Sequence, residues 1–224
     1  MKTVYFVRHG ESEANINLPA SRGVFQGIAS PLSDKGREQA RFIAARCARL
    51  SIDVILSSNA VRAHETALEI QRATGKQLKV HDVFVERKSP SRLLGKPRDD
   101  PDMKALLLRW HQTFYKHNAR VEDGENFDDL KARVCSALRY LSKRPERNIV
   151  VATHGFFLHM LIAVVLLGEE LTFAEFTRTA RRVTVGNTGL TQIEHLTPQD
   201  GKLLDGMPYE GWVLRVWNDH VHLG

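Results

Sequence analysis

Apolar residues along this chain switch between a two-residue and a three-to-four-residue spacing, and the switches divide it into strand-like and helix-like stretches. Thr3 to Arg8 is a short, β-rich apolar run. Ser33 is a residue type that caps helices, and the pattern through Gln39, Ile43 and Cys47 predicts one after it. Ile52 to Leu56 predicts a second strand, closed by Ser57-Ser58, which can cap a helix carrying Arg62, Thr66 and Ile70 as far as Gly75. Leu78 to Val85 alternates and predicts a third strand. Asp100-Pro101 supplies an N-cap with proline at the first helical position, and Met103, Leu106, Leu107, Trp110 and Phe114 then share one face. Phe127, Leu130, Val134, Leu138 and Leu141 mark another helix, with Pro145 beyond its end. Asn148 to Ala152 predicts a fourth strand and Phe156 onward an apolar helix. Thr172 with Glu175 is a capping-box pair, and Leu190 to Glu194 and Trp212 to Trp217 are the last strand candidates.

Strands alternating with helices predict a three-layer α/β/α arrangement, a mostly parallel central sheet with helices on both faces. No internal repeat or low-complexity linker interrupts the chain, so residues 1–224 are expected to form one domain. The apolar helix from Phe156 to Leu167 is too short to span a bilayer, which takes roughly 20 residues. It reads as a buried helix.

Composition narrows the function classes. With 42% hydrophobic and 26% charged residues, the chain is of the globular rather than the disordered class. Its formal net charge of +6 is scattered, and Arg178, Arg181 and Arg182 form the one local cluster, read as a solvated face. That distribution favours a small anionic ligand over nucleic acid or a membrane surface. Cys47 and Cys135 both lie in apolar-periodic stretches and have neither disulfide-framework nor metal-ligand spacing, which suits a reducing, cytoplasmic setting. Val4 to Val7 is too brief for a signal peptide.

Ligands on open α/β sheets bind beyond the carboxyl ends of the strands, and there this sequence concentrates its chemistry. Arg8-His9-Gly10-Glu11 follows the first strand, Arg62 the second, Glu86-Arg87 the third, and Thr153-His154-Gly155 the fourth. Arginine offers a phosphate dianion a planar fork of donors. A helix opening at Gly155 would point N–H groups at an anion. Neutral His9 has a lone pair that can attack phosphorus, and Arg8 and Arg62 nearby would disfavour its protonation. Glu86 could protonate a departing alkoxide. Arginines and the second histidine could neutralise the transition state with no metal and no cofactor. Each residue alone has a plainer reading: Arg62 as a solvated side chain, Glu86-Arg87 as a surface charge pair, Glu11 and Glu125 as helix-start carboxylates. Their coincidence at strand ends favours chemistry.

Taken together, Arg8-His9-Gly10-Glu11-Ser12 with Asn15, Pro31-Leu32-Ser33 with Gly36 and Gln39-Ala40, Ser57-Ser58 with Arg62, Thr66 and Ala67, Glu86, Gly124-Glu125, Thr153-His154-Gly155, Asn187, and Asn218 with His222-Leu223 resemble the histidine phosphatase superfamily, which includes cofactor-dependent phosphoglycerate mutase. The resemblance runs over almost the whole chain and implies a phosphoglycerate-mutase-like fold. By resemblance, His9 is the phosphorylated nucleophile. Arg8, Arg62 and His154, with Gly155 and Asn15, bind the phosphate, and Glu86 is the proton donor and then the base. Gln26, Gly27, Arg92 and Arg98 are expected substrate contacts, and about 89–125 is expected to be a helical lid; its Arg92, Lys96 and Arg98 suggest a substrate with more than one acidic group. Glu86 is followed by Arg87-Lys88-Ser89-Pro90 where mutases of this family show Arg-His-Tyr-Gly. The implied activity is therefore a metal-independent phosphomonoesterase of histidine acid phosphatase type acting on a small phosphorylated substrate or a phosphoprotein. A mutase and a silent phospho-ligand binder are the alternatives.

Overall fold

The computed structural model describes residues 1–16, 23–114, 116, 119–200 and 206–224. Within them the strands are β1 (Lys2–Arg8), β2 (Val54–Ser57), β3 (Leu78–Val80), β4 (Asn148–Thr153), β5 (Leu190–Leu196) and β6 (Gly211–Asp219). The helices are α1 (Asp34–Cys47), α2 (Val61–Thr74), α3 (Pro101–Thr113), α4 (Phe127–Ser142), α5 (Gly155–Leu167) and α6 (Phe173–Ala180). One sheet runs in the order β3-β2-β4-β1-β5-β6. The first four of these strands are mutually parallel, and β5 runs antiparallel to both β1 and β6.

Side chains of the central strands alternate between two cores, as the two-residue period of a strand requires. Val4 and Phe6 of β1, with Ile149 and Val151 of β4, pack among α4, α5 and α6. Val7, Val150 and Ala152 point the other way, into a core with Ile43 and Cys47 of α1 and Ala63, Ala67 and Ile70 of α2. Both faces of β4 are thus covered, which is why its sequence reads as one apolar run instead of an alternation. A third, smaller core joins Leu93, Val121 and the α3 residues Met103, Leu106 and Trp110. It lies in the stretch expected to be a lid, of which positions 115, 117 and 118 fall outside the described residues.

The helix starts follow their caps. Ser33 Oγ accepts from Gly36 N at 3.0 Å, and Asp100 from Asp102 N at 2.9 Å. Asn126 with Asp129, and Thr172 with Glu175, form reciprocal capping boxes. Lys2 Nζ, from the neighbouring edge of β1, donates to the carbonyls of Leu141, Ser142 and Arg144 at the end of α4.

Two expectations are corrected. The third strand ends at Val80 rather than Val85, because His81 Nδ1 accepts from Val83 N at 3.1 Å and the chain turns into a 3₁₀ turn over Asp82–Phe84. That turn buries Phe84 completely, so its alternation came from a turn and not a strand. Ser57-Ser58 does not cap α2 either. Ser57 is the last residue of β2, the cap position is Ala60 with no side-chain bond, and Ser58 is used in the site described below.

Candidate active site

Parallel pairing of β1 with β4 sets Arg8 opposite Thr153, so the residues that follow, His9 and His154, leave the sheet side by side. Their ring centroids are 5.1 Å apart. The His9 backbone is fixed on three sides: its N donates to Thr153 O at 2.9 Å, Asn187 Nδ2 donates to its O at 2.9 Å, and the next amide, Gly10 N, donates to Thr66 Oγ1 at 3.1 Å. Gly10 also lies against the start of α1. A Cβ there would stand 2.4 Å from Gly36 O, and one on Gly36 would stand 1.8 Å from Glu11 O, so both positions require glycine for this close approach.

The imidazole of His9 has a defined tautomer. Nδ1 lies 2.7 Å from Gly10 O, and a carbonyl can only accept, so Nδ1 carries the proton. Nε2 is left with its lone pair, to which Arg62 Nε donates at 3.1 Å. Burial, then the charges of Arg62 and Arg8, hold His9 well below the ordinary histidine pKa of 6.5, against the opposing Gly10 hydrogen bond. His154 is likewise held well below that value, by burial first and then by His9, Arg62, Arg133 and Arg8. Its Nε2 lies 2.7 Å from Ser58 Oγ, and its Nδ1 has no hydrogen-bond partner among the described residues.

The two arginines are braced at one end. Arg8 Nη1 donates to Val185 O at 2.6 Å and Arg62 Nη1 to Gly27 O at 3.0 Å. Arg8 Nε is buried without a hydrogen-bond partner, beside Gly155, where a Cβ would come within 3.3 Å of it. Burial lowers the pKa of both guanidiniums and the charge of Glu86 opposes this in each case, which ties Glu86 electrostatically to the same place. Glu86 reaches it from the loop after the 3₁₀ turn. Its carboxylate accepts from Phe156 N at 3.1 Å, Phe157 N at 3.0 Å and Arg87 N at 3.0 Å, so it caps the open N-terminus of α5. The arrangement gathers a nucleophilic nitrogen, a carboxylate and fixed cationic donors around one point, which is what phosphoryl transfer needs.

A cavity of about 330 Å³ opens beside Arg62 and Glu86, with Gly27, Ile28, Val85 and Leu94 among its walls. Gln26 is not among the residues lining it; its Nε2 donates to Glu13 Oε2 at 3.4 Å. Asn15 Oδ1 is used inside its own loop, accepting from Ser12 N and Ser12 Oγ. Arg92 and Arg98 do not line the cavity: Arg92 pairs with Glu122 at 3.3 Å, and the Arg98 guanidinium lies 5.6 Å from the Phe25 ring centre. Arg87 turns away from Glu86 and stacks 3.7 Å from the Trp110 ring centre. Sequence reasoning read Ser58 as a cap and as part of the family-like segment around Arg62, without the contact to His154, and passed over Arg133, a charged residue on an amphipathic helix whose partners are distant in the chain. No group of His, Cys, Asp and Glu suited to a metal ion occurs among the described residues.

A family model described as "Histidine phosphatase superfamily (branch 1)" matches residues 4–203. The chain belongs to the histidine phosphatase superfamily. Among curated relatives of this histidine phosphatase is "Probable phosphoglycerate mutase GpmB" of Enterobacter sp. (strain 638), 30% identical over 228 residues, covering 100% of this chain and 95% of the relative. Another is "Putative phosphoserine phosphatase 2" of Hydrogenobacter thermophilus, 30% identical over 197 residues, covering 86% of this chain and 89% of the relative. Bacillus stearothermophilus YhfR, a solved structure 23% identical, superposes with a TM-score of 0.76 over 100% of both chains. That likeness shows the shared α/β/α, phosphoglycerate-mutase-like fold.

Proposed function

We propose that the protein is a phosphomonoesterase working through a phosphohistidine at His9. The observation that carries this is the tautomer of His9, whose Nε2 lone pair is held free of a proton and faces the Arg62 donor. In the first half-reaction Nε2 attacks phosphorus and the bond to the substrate oxygen breaks. Glu86 is the general acid that delivers a proton to that oxygen. In the second, water attacks the phosphohistidine, the Glu86 carboxylate takes its proton, and the P–N bond electrons return to Nε2. Arg8, Arg62 and His154 are the groups that would balance charge on the phosphoryl oxygens, with no metal required.

The cavity supports a small organic leaving group. Arg92 and Arg98 would meet only a substrate reaching beyond it. A second reading, a mutase that keeps the phosphoryl group and passes it to another hydroxyl, is favoured by the whole-length similarity to the relative named as a phosphoglycerate mutase. Against it stands the loop after Glu86, where Arg87 is committed to the α3 core and Lys88 and Ser89 face the cavity.

p-Nitrophenyl phosphate hydrolysis in excess chelator separates these readings. Wild type is expected to turn over and His9→Ala to lose essentially all activity. Glu86→Gln should lose about 10²–10⁴-fold on an alkyl phosphate, the usual range for a general acid. No hydrolysis by wild type, together with phosphoryl exchange between hydroxyls of phosphoglycerate, would establish the mutase. Silence in both assays with retained phosphate-ester binding would mean a binder.

A further inference from the structure

The loop that carries Glu86 is fastened by one ion pair from α4. Arg133 reaches both carboxylate oxygens of Glu125 at 2.7 Å, through Nε and Nη2, and both side chains are only 11% exposed. The remaining Arg133 donors go to the Glu86 loop: Nη1 to Val83 O at 3.0 Å and Val85 O at 2.6 Å, Nη2 to Glu86 O at 3.3 Å. Glu125 completes the fastening. Its Oε2 accepts from Lys88 N at 2.9 Å, its N donates to Lys88 O at 2.9 Å, and its O accepts from Arg87 Nε at 3.1 Å. Every residue from Val85 to Lys88 therefore bonds to Glu125 or Arg133. From the other side, the Phe157 amide holds the Glu86 carboxylate, and the Phe157 ring lies 5.7 Å from the Arg133 guanidinium.

Buried backbone and charged groups need partners in any fold, and here those of four consecutive loop residues find them on a single ion pair. Proton transfer, in contrast, demands heavy-atom distances of roughly 2.6–3.2 Å, and a displacement of about 1 Å can cost on the order of 100-fold. We propose that Glu125 and Arg133 are positioning residues for Glu86, fixing its backbone so that its carboxylate stays between α5 and the ester oxygen of the substrate. The pair touches neither phosphate nor leaving group. This inference rests on the reading of Glu86 as proton donor.

The test compares p-nitrophenyl phosphate, whose leaving group needs no proton, with an alkyl phosphate such as glycerol 2-phosphate. Wild type, E86Q, R133M, E125Q and the double variant E86Q/R133M are assayed on both, with melting temperatures measured alongside. R133M is expected to lower kcat/KM, which excludes the hydrolysis step common to both substrates, by about 10–100-fold on the alkyl phosphate, and to lose at least tenfold less on the aryl phosphate. E125Q keeps the shape of the pair and should show the same substrate dependence to a smaller degree, which serves if R133M does not fold. Added to E86Q, R133M should cost nothing further on the alkyl phosphate, because the group it positions is already disabled. Equal losses on both substrates, or losses that multiply in the double variant, would overturn the positioning role and leave the pair as a plain stabiliser. E86Q read by itself, in kcat/KM, which reports transfer to His9 before the hydrolysis both substrates share, tests the proton donor: equal loss on both substrates there would remove that assignment and this inference together.

Discussion

His9 and His154 are buried imidazoles 5.1 Å apart, with Arg62 on His9 Nε2, and each could take a proton only against the charge of its neighbours. A histidine whose pKa is depressed stays neutral at acidity that would protonate it in water, so the His9 ring keeps its lone pair below pH 6.5. An ¹⁵N NMR titration of the imidazoles should show His9 still neutral, with its proton on Nδ1, at and below pH 6.5. A midpoint at 6.5 or above would mean that burial and the arginines do not govern this residue. His9, Arg8, Arg62, Glu86 and His154 were candidates from the sequence, and the structure gathers them around one point. Their partners were not legible in the sequence. Ser58 beside His154 and Arg133 beside Glu86 are contacts between segments about 50 or more positions apart, and no periodicity encodes which distant carbonyl a guanidinium will find.

Most elements were legible from local signals, with the Ser57-Ser58 cap and the third strand as exceptions. The Ser33, Asp100 and Thr172 caps and the apolar faces of α1, α3 and α4 are visible in a few adjacent residues, and the helices start there. The third strand was misread because a turn that buries Phe84 and Val85 mimics alternation over a few residues. Arg133 rides on α4, so the start of that helix bears on the site. Asn126→Ala removes the side chain that accepts from Asp129 N at 2.9 Å and breaks the reciprocal box. It should lower unfolding free energy by about 1 kcal/mol, read as a shifted urea midpoint at constant slope. An unchanged midpoint would mean that packing of Phe127 and Leu130, and not the cap, sets where α4 begins.

Whole-molecule stability carries the signature of the same histidines. A group with a depressed native pKa favours the folded state fully above its unfolded pKa and loses that contribution as pH falls toward the native one. For His222, lowered to about 4, the window runs from 6.5 down to about 4, and for His9 and His154 it also opens at 6.5 and extends downward. The urea midpoint should therefore be flat above about pH 7 and already falling between pH 6.5 and 5, before most carboxylates titrate. A midpoint unchanged across that interval would contradict neutral burial of these rings.

The sheet order has a consequence for how the protein is made. β1 lies between β4 and β5, whose last residues are Thr153 and Leu196. His9 is thus made before both of the strands that hold it on either side. A nascent chain therefore exposes the Val4–Val7 run unpaired through most of its synthesis, and a chain released before Leu196 keeps His9 without the turn at Asn187 secured. A product cut short of Leu196 would leave one edge of β1 bare, a sticky strand beside an unsecured His9.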